Sequence, residues 1–189
     1  GLVTGALSHA LADKPDAPPV AFESAQRGAL VNTAGTVDPI PVIYGTRRVG
    51  GSRLLTEISA GTTTNEFLHL VYAIAEGQIS ALNTVYLDDV ASTDARFAGL
   101  VTVEKYVGTD TQAASAALQA ALPGKWTSAH QGKGVAYLYL QLKFSESAFP
   151  NGIPVVTCDV DGRLLYDPRT GTTVFSNNPA LAVRDFLTN

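Results

Sequence analysis

The stretch VAYLYLQLKF at residues 135–144 alternates two kinds of side chain along its whole length. One face is apolar at every second position from Ala136 to Phe144, and the other face carries Tyr137 and Tyr139. This period of two predicts a β-strand with one face packed on a core. Because a tyrosine ring has a polar tip, we expect the tyrosine face to be wet or to contact a partner.

Further strands are predicted on both sides of this one. Residues 67–75 form an apolar run interrupted by His69, which predicts a strand buried on both faces. Glu76-Gly77 then predicts a hairpin to a strand at 79–87, and Asp161-Gly162 predicts a second hairpin. The other predicted strands lie at residues 40–45, 52–58, 100–107, 155–160, 164–166 and 172–175.

Helices are predicted at two places between and after these strands. The alanine-rich run 112–122 follows an N-cap residue, Asp110 or Thr111, and stops at Pro123-Gly124, which predicts a helical excursion at about 111–122. Asn178-Pro179 has the residue types that begin a helix. Because β-type sequence dominates, the predicted fold class is α+β and β-rich, with antiparallel or mixed sheets and two or three short helices.

The chain divides into three predicted parts. Residues 1–36 are rich in small residues and proline, which predicts an extended arm held by whatever it lies against. Residues 37–175 form the β-rich core with its helical excursion at about 111–122. Residues 176–189 form a helix with an apolar stripe and no element after it. Since the chain also contains no Met, we expect it to be a piece of something longer.

The composition favours a protein covered by partners. Charged residues make up 16% of the chain and its formal net charge is −4, against about 25% charged residues in a typical soluble domain. A surface this neutral suits a molecule whose faces are buried in an assembly. No apolar run reaches the roughly 18 residues of a membrane helix. Basic residues are too sparse to predict sequence-specific nucleic-acid binding.

Few residues occur in a pattern that predicts catalysis, metal binding or cofactor binding. The single cysteine, Cys158, excludes a disulfide framework within the chain and a four-cysteine zinc site. It alternates with Val156 and Val160, so we expect it in the core. His69 is expected to be packed or at an interface. No Gly-x-Ser-x-Gly or phosphate-binding glycine motif occurs, so no catalytic residue, cofactor or metal ligand is predicted.

The acidic residues are interpreted as turn and solvent-exposed residues rather than as a functional site. Asp159, Asp161 and Asp167 could belong to a calcium loop or an acid/base pair, but the closing Glu of a calcium loop is missing, and turns are favoured. Asp88 and Asp89 lie at a predicted strand end. Side chains of adjacent strand residues point to opposite faces, so solvation of each is favoured over a shared site.

Several blocks of the sequence, in their order and spacing, resemble the N-terminal hub portion of the tail-tip hub proteins of long-tailed bacteriophages. These are also called tip-attachment, J-type or central-fibre proteins. The block Ser176–Leu181 with Arg184–Thr188 is the best single match. The other blocks are residues 39–45 with 48–51, 71–79 with the strand to 89, 126–130 with 134–137, and 149–154 with 160–163 and 166–169.

The resemblance implies a structural role without a cofactor. Such a hub would be a homotrimer of tail-tube-like β-domains that closes the tail tube and connects it to the central fibre used in host attachment and genome ejection. It implies other tail-tip proteins as partners, such as the distal tail and tape-measure proteins, and a place at the virion tail tip after assembly in the host cytoplasm. No membrane contact by this segment is implied.

We expect subunit contacts on two of the predicted strands. The tyrosine face of residues 135–144 or the strand 67–75 should contribute to them, because edges and faces of such strands are finished by neighbouring copies. The candidate interface residues are Phe67, His69, Tyr72, Tyr137, Tyr139 and Gln141.

Two alternatives belong to other functional classes. A tail-associated glycan hydrolase would need two carboxylates about 5 to 10 Å apart in a cleft. A carbohydrate-binding β-domain would need exposed aromatic side chains on one face, for which Trp126, Tyr106 and Tyr44 are the candidates.

Overall fold

The computed structural model describes Asn32 and residues 39–188 of the chain. Apart from Asn32, the arm expected over residues 1–36 lies outside the described residues. The Asn32 side chain binds the backbone of Val156, donating from Nδ2 to its carbonyl at 2.8 Å and accepting its N–H at Oδ1 at 2.6 Å. This pair of bonds fixes Asn32 against the β-rich part.

A four-stranded antiparallel sheet forms one layer of the fold. Its order is β2 (Ser52–Ser59), β3 (Phe67–Glu76), β7 (Val135–Lys143) and β6 (Val101–Val107). The alternating stretch that opened the sequence is β7, which ends one residue before Phe144. We call this layer the first sheet.

The second sheet is built around one long strand. Its order is β1 (Thr46–Gly50), β8 (Val156–Asp167), β4 (Ile79–Leu87) and β5 (Val90–Ala91), and all pairs are antiparallel. The far end of β8 also pairs with β9 (Thr172–Phe175) across the turn that begins at Asp167. This turn and short strand confirm the prediction for residues 167–175.

The two sheets pack face to face over the main core. Side chains from β3 and β7 meet side chains from β4 and β8, and burial of this apolar surface is the main force that holds the layers together. The central members are Leu70, Tyr72, Ile74, Leu138, Leu140, Leu82, Val85, Val156, Cys158 and Val160. Cys158 is fully buried there, as the alternation around it predicts.

Short helices flank the sheets in the described residues: a 3-10 turn at Ala95–Phe97, α1 (Ala116–Ala121) and α2 (Pro179–Thr188). None of them has the length and apolar character needed to cross a bilayer. The prediction for α2 is confirmed, and Asn178 Oδ1 accepts the N–H of Ala180 at its start.

The first helix is shorter than the predicted 111–122. Its cap is Ser115, whose Oγ accepts the N–H of Leu118 at 3.0 Å. The preceding turn is opened by Gln112, whose amide accepts the Gly108 N–H and donates to the carbonyl of Gly132. These tertiary bonds outweigh the helix propensity of the alanine-rich run.

The hairpin predicted between residues 67–75 and 79–87 is wrong. Both edges of β3 are occupied, by β2 and β7, so β4 cannot pair with it. Gly77, with φ +81°, donates its N–H to the Gly134 carbonyl at 2.7 Å. The turn therefore directs the chain out of the first sheet and into the second.

The hairpin predicted at Asp161-Gly162 is also wrong, because β8 runs through both residues. The strand predicted over 40–45 is instead irregular, and β1 begins at Thr46. Pro39 and Pro41 have no N–H for a ladder, yet the carbonyls of Ile43 and Gly45 accept bonds from residues 163 and 162. Glycine at 162 serves this close backbone approach, since a Cβ there would overlap the Ile43 carbonyl.

Candidate assembly interface

The tyrosines of β7 lie inside the molecule. Tyr137 and Tyr139 are buried on the outer face of the first sheet, under α1 and the segment that follows it, where Leu118 and Leu122 pack against them. The expectation of a wet tyrosine face is therefore wrong. A third layer of the same chain covers it.

The other candidate interface residues include both buried and partly exposed side chains. His69 and Tyr72 are fully buried, on opposite faces of β3. Phe67 and Gln141 are half-buried and keep some surface. Subunit contact at those two stays a prediction, whereas the four buried side chains have no surface of their own to offer.

A polar network crosses three strands on the covered face. Ser59 Oγ lies 2.8 Å from His69 Nε2, and His69 Nδ1 lies 2.9 Å from the Tyr139 hydroxyl. Burial lowers the pKa of His69 and raises the pKa of Tyr139 to about 12, so both are neutral near pH 7. In hydrolases, a serine beside a histidine forms a nucleophile–base pair, and a carboxylate orients the histidine and stabilises its charged form. Here the third member is a neutral phenol, that of Tyr139, instead of a carboxylate. The network ties β2, β3 and β7 together.

A second polar group lies beside this network, on the edge strand β6, where Glu104 is paired in register with Tyr139. Glu104 accepts hydrogen bonds from the Tyr106 hydroxyl at 2.7 Å and from Ser115 Oγ at 2.6 Å. The Tyr106 ring stacks on Tyr137 with centroids 4.3 Å apart. Glu104 therefore joins the start of α1 to the sheet beneath it.

The three aromatic residues considered for sugar binding do not meet on one surface. Trp126 and Tyr106 are half-buried in the aromatic cluster over β7, where Trp126 also stacks on His130. Tyr44 donates instead to Asp185 on α2 at 2.8 Å. The geometry gives no shared aromatic platform.

The outer face of the second sheet is polar and self-paired. Arg48 contacts Asp159 at 3.3 Å and Asp89 at 3.1 Å, and its guanidinium lies over the Tyr86 ring. Tyr86 donates to the same Asp159 carboxylate. A guanidinium that contacts two carboxylates and also stacks on an aromatic ring is typical of arginine.

The three aspartates of the β8 region each have separate partners. Asp161 accepts from Thr46 and Asn83, which lower its pKa. Asp167 pairs with Arg169, whose side-chain bonds lower the pKa of Asp167 to about 2. Asp159 and Asp161 lie on a strand rather than in the expected turn, while Asp167 does begin one. Across residues 39–188 no group of three or more His, Cys, Asp or Glu side chains is placed to hold a metal.

An apolar groove opens at one end of the sandwich, and the sequence patterns did not predict it. Its volume is about 360 Å³, and its walls include Ile58 of β2, Phe67 of β3, Phe144 after β7, and Phe149 and Ile153 from the loop before β8. The Phe144 side chain is 70% exposed and Ile58 is 54% exposed. Exposed apolar side chains grouped in a groove make this end of the sandwich a candidate contact surface.

The rim of the apolar groove carries an ion pair. Lys143 Nζ lies 3.1 Å from Glu66, whose pKa is lowered by the Thr63 N–H and by this lysine. A polar rim around an apolar centre is the usual anatomy of a protein–protein contact. The sequence feature that could have predicted the groove is Phe144, because it continues the apolar face of β7 past the point where the partner strands end.

No protein-family model matches this chain, and no curated protein matches it. Among solved structures, the chain is similar to one in the "Virion of native gene transfer agent (GTA) particle", with a TM-score of 0.54 and 21% sequence identity. The match covers 70% of this chain and 28% of that one, so this chain spans well under half the length of its neighbour. The β-rich architecture described above is therefore a fold that this chain shares with a chain of a gene transfer agent virion.

Proposed function

We propose that this protein is a non-enzymatic structural component of a phage-like virion, in the hub of the tail tip. There its β-domain would close the end of the tail tube and connect it to the central fibre. The observation that carries the proposal is the apolar groove, exposed on a fold shared with a virion chain. The order and spacing of the sequence blocks that resemble tail-tip hub proteins support the tail-tip position.

Two further features of the first sheet support assembly. Within the described residues β2 pairs on one side only, with β3, and its exposed side chains include Leu54 and Ile58. An edge strand with exposed apolar residues is a template for association unless a neighbour covers it. The edge of β2 and the apolar groove share Ile58, so one neighbour could cover both.

The occupant we propose for the apolar groove is a neighbouring copy of this chain. A ring of copies about an axis, a homotrimer in the hub, uses a heterologous contact in which one surface meets a different one on the next copy. The low charge of the chain suits such a ring, because charged residues are depleted in the core of an interface. Contacts with distal tail and tape-measure proteins would then lie on other faces.

The assembly proposal is tested with Phe144→Asp and light scattering. The side chain is 70% exposed, so the aspartate should be tolerated by the isolated fold while a charge enters the groove. We expect wild type to have the mass of a trimer and Phe144→Asp that of a monomer. The matched control is Val174→Asp on β9, also exposed but outside the groove, which should remain trimeric.

Two results would count against self-assembly through the groove. One is a wild-type protein that stays monomeric at the highest soluble concentration, and the other is an unchanged mass for Phe144→Asp. Far-ultraviolet circular dichroism of each variant shows whether the fold is retained.

The tail-tip position is tested on particles. Gold-labelled antibody against this chain should bind at the distal end of the tail in electron micrographs. Label on the head or along the tube would reject the tail-tip role, and absence of the chain from purified particles would reject the virion role altogether.

A further inference from the structure

The helix α2 exposes one apolar face. Val183, Phe186 and Leu187 are 58%, 73% and 75% exposed, and their spacing of three and four residues places them together on one side of the helix. We call these three side chains the α2 ridge. An apolar stripe on a helix normally packs against another element, and within the described part of the chain no element covers this one.

The other side of α2 is held against the end of β8. Asp185 contacts Arg163 at 3.1 Å and accepts a hydrogen bond from the Tyr44 hydroxyl at 2.8 Å. The Arg184 guanidinium lies 5.2 Å from the centre of the Tyr166 ring. Both charged side chains of α2 therefore contact the body of the protein. Because these contacts set the orientation of the helix, the α2 ridge is positioned before a partner binds, which lowers the entropy cost of association.

The α2 ridge and the apolar groove lie towards opposite ends of β8. Ile153 of the groove comes just before β8 begins at Val156, whereas α2 contacts Arg163 and Tyr166. At roughly 3.3 Å per residue, the strand from Val156 to Arg163 spans about 23 Å. The two exposed surfaces are thus separate on one molecule. A contact between them joins one end of a copy to the other end of the next copy, which is the heterologous arrangement.

The two surfaces are complementary in form and polarity. The groove is a concave space of about 360 Å³ with walls of aliphatic and aromatic side chains. A helix with apolar residues at positions i, i+3 and i+4 is the usual occupant of such a groove. Lys143 on the rim is already paired with Glu66, so an apolar helix that binds there leaves neither of these two charges unpaired.

The exposed side chains are large enough to form the centre of an interface. An aromatic side chain buries about 150 to 250 Å², so Phe186 and Phe144, at 73% and 70% exposure, each have at least about 100 Å² left to bury. A standard interface buries about 800 Å² per partner. Aromatic anchors at its centre supply most of the affinity, and the polar residues around them exclude water.

We propose that the α2 ridge of one copy of this chain docks in the apolar groove of the next copy, with Phe186 as the central anchor. This inference rests on the self-assembly proposed above and names the surface of the neighbour that fills the groove. Each copy supplies one ridge and one groove, so a closed ring of three copies leaves neither surface unpaired.

The first test is the mass of Phe186→Asp, measured by light scattering on the full chain. We expect this variant to be a monomer under conditions in which wild type is a trimer, because the aspartate puts a charge into an apolar contact. The matched control is Asn178→Asp, which adds the same charge to the start of the same helix, where Asp caps as well as Asn. This control should remain a trimer.

The second test mixes two variants that are each expected to be monomers. Phe144→Asp keeps an intact α2 ridge, and Phe186→Asp keeps an intact groove. An equimolar mixture should therefore form a 1:1 dimer through the one intact ridge–groove pair, and it should form nothing larger. Formation of this dimer also shows that both variants are folded. A mixture that stays monomeric at the highest soluble concentration would overturn the proposal.

The same measurements separate this inference from the proposed function. If Phe144→Asp is a monomer while Phe186→Asp stays a trimer, the groove is an interface but α2 is not its occupant, and only the present inference is overturned. A monomeric wild type overturns both the inference and self-assembly through the groove. The position of the chain in particles is decided independently by the antibody label.

Discussion

Gly162 shows how a single residue sets the course of the chain. Asp-Gly is a common turn signal, yet here the glycine lies inside β8 and allows the irregular segment before β1 to approach. The N–H groups of Gly162 and Arg163 donate to the carbonyls of Gly45 and Ile43. The absence of a side chain is used for space and not for a left-handed backbone.

Gly162→Ala should therefore destabilise the protein by steric overlap with the Ile43 carbonyl. We expect a loss of about 3 kcal/mol in the free energy of unfolding, because the contacting atom is backbone and cannot rotate away. The matched control is Gly99→Ala, which meets open space and has only a positive φ of +71° to overcome, about 1 kcal/mol. Urea titrations of the two variants compare them directly. A Gly162→Ala loss no larger than that of Gly99→Ala would contradict the role given to residue 162.

Among the elements, α1 depends on one buried cap. Ser115 Oγ accepts the Leu118 N–H and donates to Glu104 Oε2, so one hydroxyl serves both the helix and the sheet beneath it. Ser115 is fully buried. Its loss would leave a helix N–H unpaired and remove a hydrogen bond from a carboxylate.

We expect Ser115→Ala to cost about 3 kcal/mol in unfolding free energy, the sum of a lost cap and a lost bond to a charged group. Asn178→Ala removes the exposed hydrogen bond that caps α2 and should cost about 1 kcal/mol. Chemical denaturation of both variants measures the difference. Equal losses would show that the bond from Ser115 to Glu104 adds nothing.

Periodicity predicts individual strands well here and their neighbours poorly. The bounds predicted for β3, β4, β6 and β7 agree with the structure to within one residue, because alternation and apolar runs are local properties. Pairing is not local: β3 has its two neighbours from distant parts of the chain, and β4 belongs to the other sheet. Turn residues such as Glu76-Gly77 predict that the chain reverses, but they do not predict which sheet the next strand joins.

Prediction of the candidate interface from the sequence had the same limits. Alternation correctly separated the two faces of β7 but could not say what covers the second one, because a short helix from another part of the chain does so. A tyrosine is compatible with either outcome, since its ring can be buried and its hydroxyl bonded. The exposed apolar groove depends on where several strands end together, which no local pattern records.

The whole molecule is asymmetric about its central core. One sheet is covered on its outer face by α1 and the aromatic cluster, whereas the outer face of the other carries charged pairs such as Arg48 with Asp159. One exposed apolar surface lies at the end of the sandwich, in the groove beside Phe144, and a second lies on α2, where Val183, Phe186 and Leu187 are exposed. A neighbour can therefore contact the groove without displacing α1 from one sheet or the charged pairs from the other.

The central core can be followed through Cys158, on β8 between β1 and β4. The thiol is fully buried, and burial raises its pKa to about 12, so almost no thiolate exists at neutral pH in the folded state. Labelling by a disulfide reagent should therefore require the sheets to separate. We expect labelling in native buffer to be at least about a thousandfold slower than in denaturant, as a global stability of 5 kcal/mol or more implies. Gly162→Ala should label faster than wild type by the factor that its loss of stability sets, since the same opening exposes the thiol. Fast labelling of the wild-type protein under native conditions would show that the two sheets do not share one cooperative core.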